Sequence, residues 1–581
     1  MSSFVTTPTL RGRPESSPEL SPFLTIRLLR RMLRLLETHY WLVCALGTAA
    51  CAWGHLGALI SRHLDHDELF TSYIAQAPSV SQLLALTRTI DLHPPLSYLL
   101  VRLSYAMFGV SSWSCRLPFF LAYMVTGAIL YLFICRLVSP IYGLIALLTL
   151  WSSSYALLAI EARPYALVLC FTSLLLVNWH HIVTAEDRPV SRWRFAALVA
   201  AGFALLLSHV LGALAYAAFL AAEIIRFSMR RKPDWRLWCA LTVPLISALT
   251  YLPLIRIQSG LLFSEYSQAS PRRLAICYWE HFRYSITPLA LVLLIAIAWE
   301  LLSNQQNTPR PVSSRAAAAS FISLLFFLFL VPLEIYFIFS HTGSPFYERY
   351  GVVALVPCAL VPALFLAWRT NGNRWAGACV AFLLGALLIF NTSGKAWLVE
   401  SLSNVAEAQI ATKLLYLVAP PPVAPPALKP PPVPFYLEDT ANRAPTISHL
   451  GSVDPQLPFV AGSGPTFLEL DHYQDAAFTR RLYLLTNPVA AATIVHNTVF
   501  DHYELLKAVF PIHGRVENYC TFVREHPQFI VLGGYNYPDT WLLKKLEMDG
   551  AKLSIAGKYN DGVIEEHDIY KVLVKNDTCH N

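Results

Sequence analysis

The chain has 581 residues, 55% of them hydrophobic and only 14% charged, with a formal net charge of +7. Soluble domains carry about 25% charged residues, and the apolar residues here fall in long runs, so the composition excludes a soluble globular enzyme and reads as a polytopic membrane protein. The basic excess sits mostly in short loops between those runs, which makes it a topology signal and not a nucleic-acid footprint.

Residues 1–39 are rich in Pro and Ser up to Pro22 and then basic, with Arg27, Arg30, Arg31 and Arg34. This reads as a cytoplasmic flank before a retained first helix, because no small-residue cleavage site accompanies it. Runs at 40–60, 116–135, 141–160, 165–182, 193–208, 210–226, 236–256, 285–302, 316–340, 350–368 and 374–391 are candidate spans, each approaching the roughly 20 apolar residues that cross a bilayer. The segment Pro94 to Val110 is short and holds Arg102 near its middle. Leaving it out gives about eleven spans and puts the N-terminal arginines, Arg136, Arg188 to Arg194, Arg226 to Arg236, Arg310 to Arg315 and Arg369 to Arg374 on the inner side, as the positive-inside rule requires. Pro94 to Val110 is therefore expected to lie in the outer interface, with Arg102 reaching toward headgroups. A second interfacial helix is expected at Glu68 to Ala77.

Past the last run the composition changes. A helix-compatible stretch leads into the prolines from Pro420 to Pro434, so residues 392–434 form a linker. Residues 435–581 read as a small α/β domain outside the membrane, with strands at Phe467–Leu470, Arg481–Leu485, Phe529–Leu532 and Asp568–Val574 and helices at Asp501–Val509 and Tyr537–Met548. There are 11 cysteines. Cys44, Cys51, Cys170 and Cys379 lie in apolar runs and read as small buried hydrophobes; only Cys520 and Cys579 lie in the C-terminal part, where they have the opportunity to pair.

Four short motifs fall on the outer side of this topology. In Asp65-His66-Asp67-Glu68, just after the first span, one carboxylate can act as a base toward an acceptor, or Asp67 and Glu68 can hold a divalent cation. The plain alternative is an acidic first helical turn, worth about 0.3–1 kcal/mol against the helix dipole. In Asp91-Leu92-His93-Pro94-Pro95-Leu96, Asp91 can cap the next helix, the prolines set its start, and His93 offers a donor to a phosphate or hydroxyl. In Glu161-Ala162-Arg163-Pro164-Tyr165, Pro164 pushes Arg163 out of helical geometry. Glu161 and Arg163 then sit on a rigid rim, either as an ordinary ion pair or with Arg163 binding phosphate oxygens through its planar fork. Glu348-Arg349-Tyr350 opens a late span, as an interfacial anchor or as a cation for a departing phosphate. His209 is a weaker candidate of the same kind.

This order of motifs resembles the membrane GT-C glycosyltransferases, in particular the bacterial branch similar to protein O-mannosyltransferases and aminoarabinose transferases, over residues 40–391. The resemblance implies a mainly α polytopic bundle as catalytic domain. It implies Asp67 as the catalytic carboxylate, Glu68 at the next motif position and Glu161 at the second outer acidic position. Arg349 then faces the donor phosphate. Where some relatives have a lysine in the second interfacial segment, His93 stands nearby. The donor implied is a polyprenyl-phosphate-linked hexose or pentose; its phosphate leaves as an anion, so cations (Arg163, Arg349, His93) are needed in place of a general acid. Asp67 would deprotonate the acceptor as it attacks, giving inversion. The acceptor class (lipid, glycan or protein) is left open. No cofactor is fixed; a divalent metal ion, if used, would fall to Asp67 and Glu161.

Two other classes stand beside this one. A transporter or lipid-carrier flippase without transfer chemistry would show broken helices, charges near the bilayer midplane and internal repeats; the charges here cluster at one rim, Glu334 excepted. A scaffold whose working part is the C-terminal domain would keep its function without the membrane part.

Overall fold

The computed structural model describes residues 33–185, 188–258, 260–263, 268–282, 292–298, 315–392, 436–438, 453–499, 503–534, 541–560 and 566–574, together with 31 and 290. The expected N-terminal basic flank up to Arg30, the linker at 392–434 apart from Thr392, and Cys579 lie outside them, as does most of the expected span at 285–302.

The protein is mainly helical. Seven helices among the described residues are long and apolar enough to cross a membrane: Tyr40–Ser61 (α1), Ser112–Leu137, Tyr165–Ala185, Gly212–Arg230, Trp235–Gln258, Arg315–Thr342 and Glu348–Arg369. Helix α1 is apolar all round yet exposes Trp41, Leu42, Leu46 and Trp53, the surface expected of a helix solvated by lipid. Between it and the next long helix run three short ones, His66–Ala75 (α2), Val80–Thr89 (α3) and Leu96–Phe108 (α4). The long helix Ser112–Leu137 (α5) packs against Pro140–Trp151 (α6) and Tyr165–Ala185 (α7). A Cβ on Gly143 would stand 2.9 Å from the Tyr131 carbonyl oxygen, so glycine lets α5 and α6 close up. The bundle continues through Arg192–Ser208 (α8), Gly212–Arg230 (α9), Trp235–Gln258 (α10), Pro271–Phe282 (α11), Arg315–Thr342 (α12), Leu355–Arg369 (α13) and Arg374–Thr392 (α14).

Several expectations need correction. The span at 141–160 is broken: α6 stops at Trp151 and a 3₁₀ segment runs over Ser154–Ile160. Ser152 and Ser153 donate their hydroxyls to the carbonyls of Thr149 and Leu150, which competes with the helical ladder. Similar 3₁₀ segments interrupt α10 at Val243–Thr250 and precede α13 at Glu348–Ala354. Pro244 removes a donor in the first of these. Arg102 does not reach toward headgroups; its guanidinium donates to the carbonyls of Ala75 (3.2 Å), Ala77 and Pro78 and so satisfies the C-terminal end of α2. Helix α3 was not expected at all; Ser79 caps it, accepting from the Gln82 amide at 3.1 Å. Cys51 is only half-buried and Cys379 is exposed.

The C-terminal part forms a seven-stranded sheet from Tyr436–Glu438 (β1), Phe459–Ala461 (β2), Leu482–Thr486 (β3), Arg515–Asn518 (β4), Gln528–Gly533 (β5), Lys552–Asn560 (β6) and Glu566–Leu573 (β7), in the order β1-β6-β7-β5-β2-β3-β4. Strands β5, β2, β3 and β4 are parallel to one another, whereas β7 runs antiparallel to both β5 and β6. Helices Gly464–Tyr473 (α15), Tyr503–Lys507 (α16), Tyr519–Glu525 (α17) and Leu542–Met548 (α18) accompany it. Phe467–Leu470, read as a strand from its apolar residues, lies inside α15. Ser463 caps that helix and Pro465 opens it, a start signal that outweighs local β propensity. Strands β1, β2, β4 and β6 were not expected. Cys520 is disulfide-bonded.

Candidate functional site

The acidic motif after α1 builds the entry to α2. Asp65 caps the helix by accepting from the Glu68 amide at 2.9 Å, and Glu68 reaches back to the Asp65 amide at 3.1 Å. This capping box needs an acceptor side chain at each end, and the sequence supplies both. Glu68 is fully buried. Arg116, in the first turns of α5 and also fully buried, meets it with Nε at 2.7 Å and Nη2 at 2.6 Å. The remaining Arg116 donors go to the carbonyls of Arg62 (2.7 Å) and His63 (2.6 Å), and Glu68 accepts a further bond from the Ala162 amide at 2.7 Å. One carboxylate thus ties together α2, α5 and the rim that carries Glu161 and Arg163, with both oxygens engaged.

Asp67, one residue earlier on the helix, faces a different set of groups. Its Oδ2 lies 2.8 Å from Nη2 of Arg349 and 3.8 Å from Nε of Arg163. Arg163 also donates Nη1 to the Asp67 carbonyl at 3.2 Å and to Oδ2 of Asp91 at 3.1 Å. Extended backbone at Glu161 followed by Pro164 holds Arg163 there. Asp91 does not cap α4 as expected. Its carboxylate accepts from the hydroxyl of Tyr98 and from Arg163 and sits 3.5 Å from His93 Nδ1. Leu92 between them has φ of 54°, a left-handed conformation costly for leucine, and it turns both neighbours toward the same cluster.

An aromatic wall closes the group. The His93 ring lies 5.0 Å from that of His209, and the His209 ring 5.6 Å from that of Tyr165. The Arg349 guanidinium stands 5.6 Å above Tyr165 and 5.2 Å above Tyr347. His209 Nδ1 accepts from the Leu211 amide at 3.0 Å, so in the neutral ring Nε2 carries the proton. Burial, with the nearby charges of His93 and Arg163, keeps that ring well below the usual histidine range. His209 Nε2, Arg163 Nε and Arg349 Nε are all buried N–H donors without an acceptor among the described residues. A buried unpaired donor costs about 1–3 kcal/mol, and these three belong to the group of side chains around Asp67 and Tyr165.

The charges are set accordingly. Burial pushes the Asp67 carboxyl up, but Arg163 and Arg349, helped by His66 and His93, outweigh it and hold the group well below the usual carboxylate range. Glu161 makes no ion pair among the described residues. Burial raises its carboxyl to about 7, Arg349 pulling against that and Asp65 and Glu68 adding to it. A carboxyl raised in the fold favours the folded state fully below its unfolded value of about 4.5 and loses that contribution as pH rises through about 7. Glu161→Gln should therefore gain thermal stability relative to the parent as pH is raised from about 5 to about 8, with no gain in more acid buffer; melting curves across that range test it.

The structure brings Asp67, Arg163 and Arg349 into direct contact and sets His93 beside them through Asp91. Glu68 adjoins the cluster but is spent on Arg116. Two guanidinium groups face the Asp67 carboxylate, and among the described residues no three His, Cys, Asp or Glu side chains are grouped to hold a metal ion. The sequence reading missed Arg116, the role of Asp91 as a bridge between Arg163 and Tyr98, and His66. An arginine inside an otherwise apolar run was the available signal for the first.

Residues 92–255 match the family model described as dolichyl-phosphate-mannose-protein mannosyltransferase. Among solved structures, the chain is similar to ArnT from Cupriavidus metallidurans bound to undecaprenyl phosphate, at 14% identity and a TM-score of 0.47, covering 93% of this chain and 99% of that one. It is also similar to the apo state of the same protein, at 11% identity and a TM-score of 0.38, covering 91% and 97%. No curated protein matches the chain. The matched segment carries the His93-Pro94-Pro95-Leu96 and Glu161 to Tyr165 motifs, and on a mainly helical bundle they mark the chain as resembling the membrane GT-C glycosyltransferases.

Proposed function

We propose that this protein is an inverting glycosyltransferase that moves a hexose or pentose from a polyprenyl-phosphate-linked donor to an acceptor at the outer face of the membrane. The observation that carries this reading is the meeting of Asp67 with Arg163 and Arg349, from three segments far apart in sequence, with three buried N–H donors in the same group that lack acceptors among the described residues. A phosphate group supplies the acceptor oxygens that those donors need and spreads its charge over the two guanidinium forks.

In the transfer, an acceptor oxygen or nitrogen attacks the anomeric carbon on the face opposite the phosphate. The bond from that carbon to the phosphate oxygen breaks, its electron pair stays on the phosphate, and the acceptor proton passes to Asp67. Arg163 and Arg349 stabilise the departing phosphate, and the neutral Nε2–H of His209 adds a donor that costs no extra charge. Glu68, already saturated by Arg116, holds the turn without touching substrate. On this reading residues 40–391 are the catalytic part, the N-terminus is cytoplasmic and residues 435–581 lie on the same side as the site. Native mass spectrometry of the purified protein tests it: a co-purifying polyprenyl-phosphate sugar is the expected ligand, and a transport substrate without phosphate overturns the reading. Arg349→Ala should cost about 10²–10³ in kcat, with partial recovery in Arg349→Lys, which restores charge but not the fork.

A second assignment of the base has one observation in its favour. Burial raises the Glu161 carboxyl to about 7, where a general base works best. The acid limb of the rate profile separates the two: a midpoint near 7 that disappears in Glu161→Gln gives the base to Glu161, and a flat profile down to about pH 5 keeps it with Asp67.

A further inference from the structure

The sheet domain touches the acidic turn itself. Glu469 Oε1, on α15, accepts from the His66 amide at 2.9 Å and lies 3.6 Å from the His66 ring nitrogen Nδ1. The other ring nitrogen, Nε2, lies 3.5 Å from Asp67 Oδ1. Burial lowers the His66 pKa, but Asp67, Glu469 and Asp65 together lift it to about 9. A charged imidazolium therefore stands between a carboxylate of the sheet domain and the carboxylate of the site. One turn further along α15, the Tyr473 hydroxyl meets both backbone groups of Leu64, accepting from its N–H at 2.6 Å and donating to its carbonyl at 3.2 Å. His472 shares a hydrogen bond of 2.7 Å with the Tyr73 hydroxyl, and Phe510 packs its ring 5.4 Å from Phe70 and 5.1 Å from Tyr73.

The first amides of a helix have no partner inside it. In α2 the sequence supplies only part of the cap locally: Asp65 takes the Glu68 amide and Glu68 takes that of Asp65. The amide of His66 is taken by a residue about 400 positions away. We propose that Glu469 is a positioning residue for Asp67, so that the C-terminal domain completes the frame of the active site and is not a tethered accessory. This inference rests on the functional reading above for its kinetic consequence but not for its structural one.

The test uses the full-length protein in nanodiscs with Glu469→Ala, Glu469→Gln and Tyr473→Phe. Hydrogen–deuterium exchange over residues 64–68 is read without substrate. Losing the acceptor in Glu469→Ala should speed exchange there about tenfold, whereas Glu469→Gln, whose amide oxygen still accepts from His66, should stay close to the parent. Tyr473→Phe, which removes the second contact, should also speed exchange at Leu64. Unchanged exchange in Glu469→Ala, or equal acceleration in both Glu469 variants, overturns the clamp. Kinetics with undecaprenyl-phosphate mannose as the probe donor should show kcat reduced on the order of 10²-fold in Glu469→Ala, with KM unchanged and the loss largely rescued in Glu469→Gln. Faster exchange with an unaltered kcat overturns the positioning role. If the parent protein transfers no sugar from any polyprenyl-phosphate donor, the functional reading fails while the exchange result still decides the clamp.

Discussion

Asp67→Asn should lower the transfer rate by about 10²–10⁴-fold, with a much smaller change in donor KM. The substitution keeps the shape of the side chain and removes its charge. The amide oxygen of the variant would still reach Arg349, which now sits 2.8 Å from the carboxylate, so the loop should keep its place. What disappears is the proton acceptor of the proposed transfer, together with the anion that lets Arg163 and Arg349 approach one another. The same variant carries a pH signature. Burial alone would raise the Asp67 carboxyl, but Arg163 and Arg349 reverse that and depress it. A depressed carboxylate contributes stability above its unfolded value of about 3.9, and the contribution is lost as pH falls through the folded value. Asp67→Asn should therefore melt earlier than the parent at neutral pH, and the gap should close only in strong acid. Rates and melting curves on one preparation check both statements; a variant that transfers sugar at the parental rate excludes Asp67 as base.

Arg116→Ala should be the most damaging single change to the fold. Both Arg116 and Glu68 are fully buried, joined at 2.6 and 2.7 Å through two nitrogens. Removing one partner strands the other charge in a dry interior, a loss of about 3–5 kcal/mol. It also leaves the carbonyls of Arg62 and His63 without their donors. Replacing both partners, as in Arg116→Leu with Glu68→Gln, should cost clearly less than the sum of the single changes, because neither charge is then abandoned. Thermal unfolding in detergent, read for both single variants and the double, gives the coupling directly. Equal and additive losses would show that the pair does not act as a unit.

Much of the membrane part was legible because its signals are local. Long apolar runs locate the helices, and the proline in Glu161-Ala162-Arg163-Pro164-Tyr165 places Arg163 outside helical geometry, as the structure finds. The meeting of Asp67, Arg163 and Arg349 followed only from their shared side in the topology; no spacing in the sequence encodes a 2.8 Å contact between residues 67 and 349. Partnership was the illegible element. Asp91 has the residue type and position of a helix cap, yet Arg163 and Tyr98 claim its carboxylate first. Arg102 has the look of a snorkelling arginine, yet the bare carbonyls ending α2 lie within its reach. The short strands β2 and β4 are three and four residues long and depend on neighbours across the sheet, so propensity alone could not find them.

Three successive side chains at the start of α2 serve three masters. His66 answers to the sheet domain, Asp67 to the arginine pair and Glu68 to the bundle interior. Successive residues of an α-helix point about 100° apart, and that angular offset is what lets neighbours look three ways at once. An inserted or deleted residue at this turn would rotate all three off target together. The segment can thus absorb a change of side chain far more readily than a change of length, and its spacing from the capping aspartate sets the direction of all three at once.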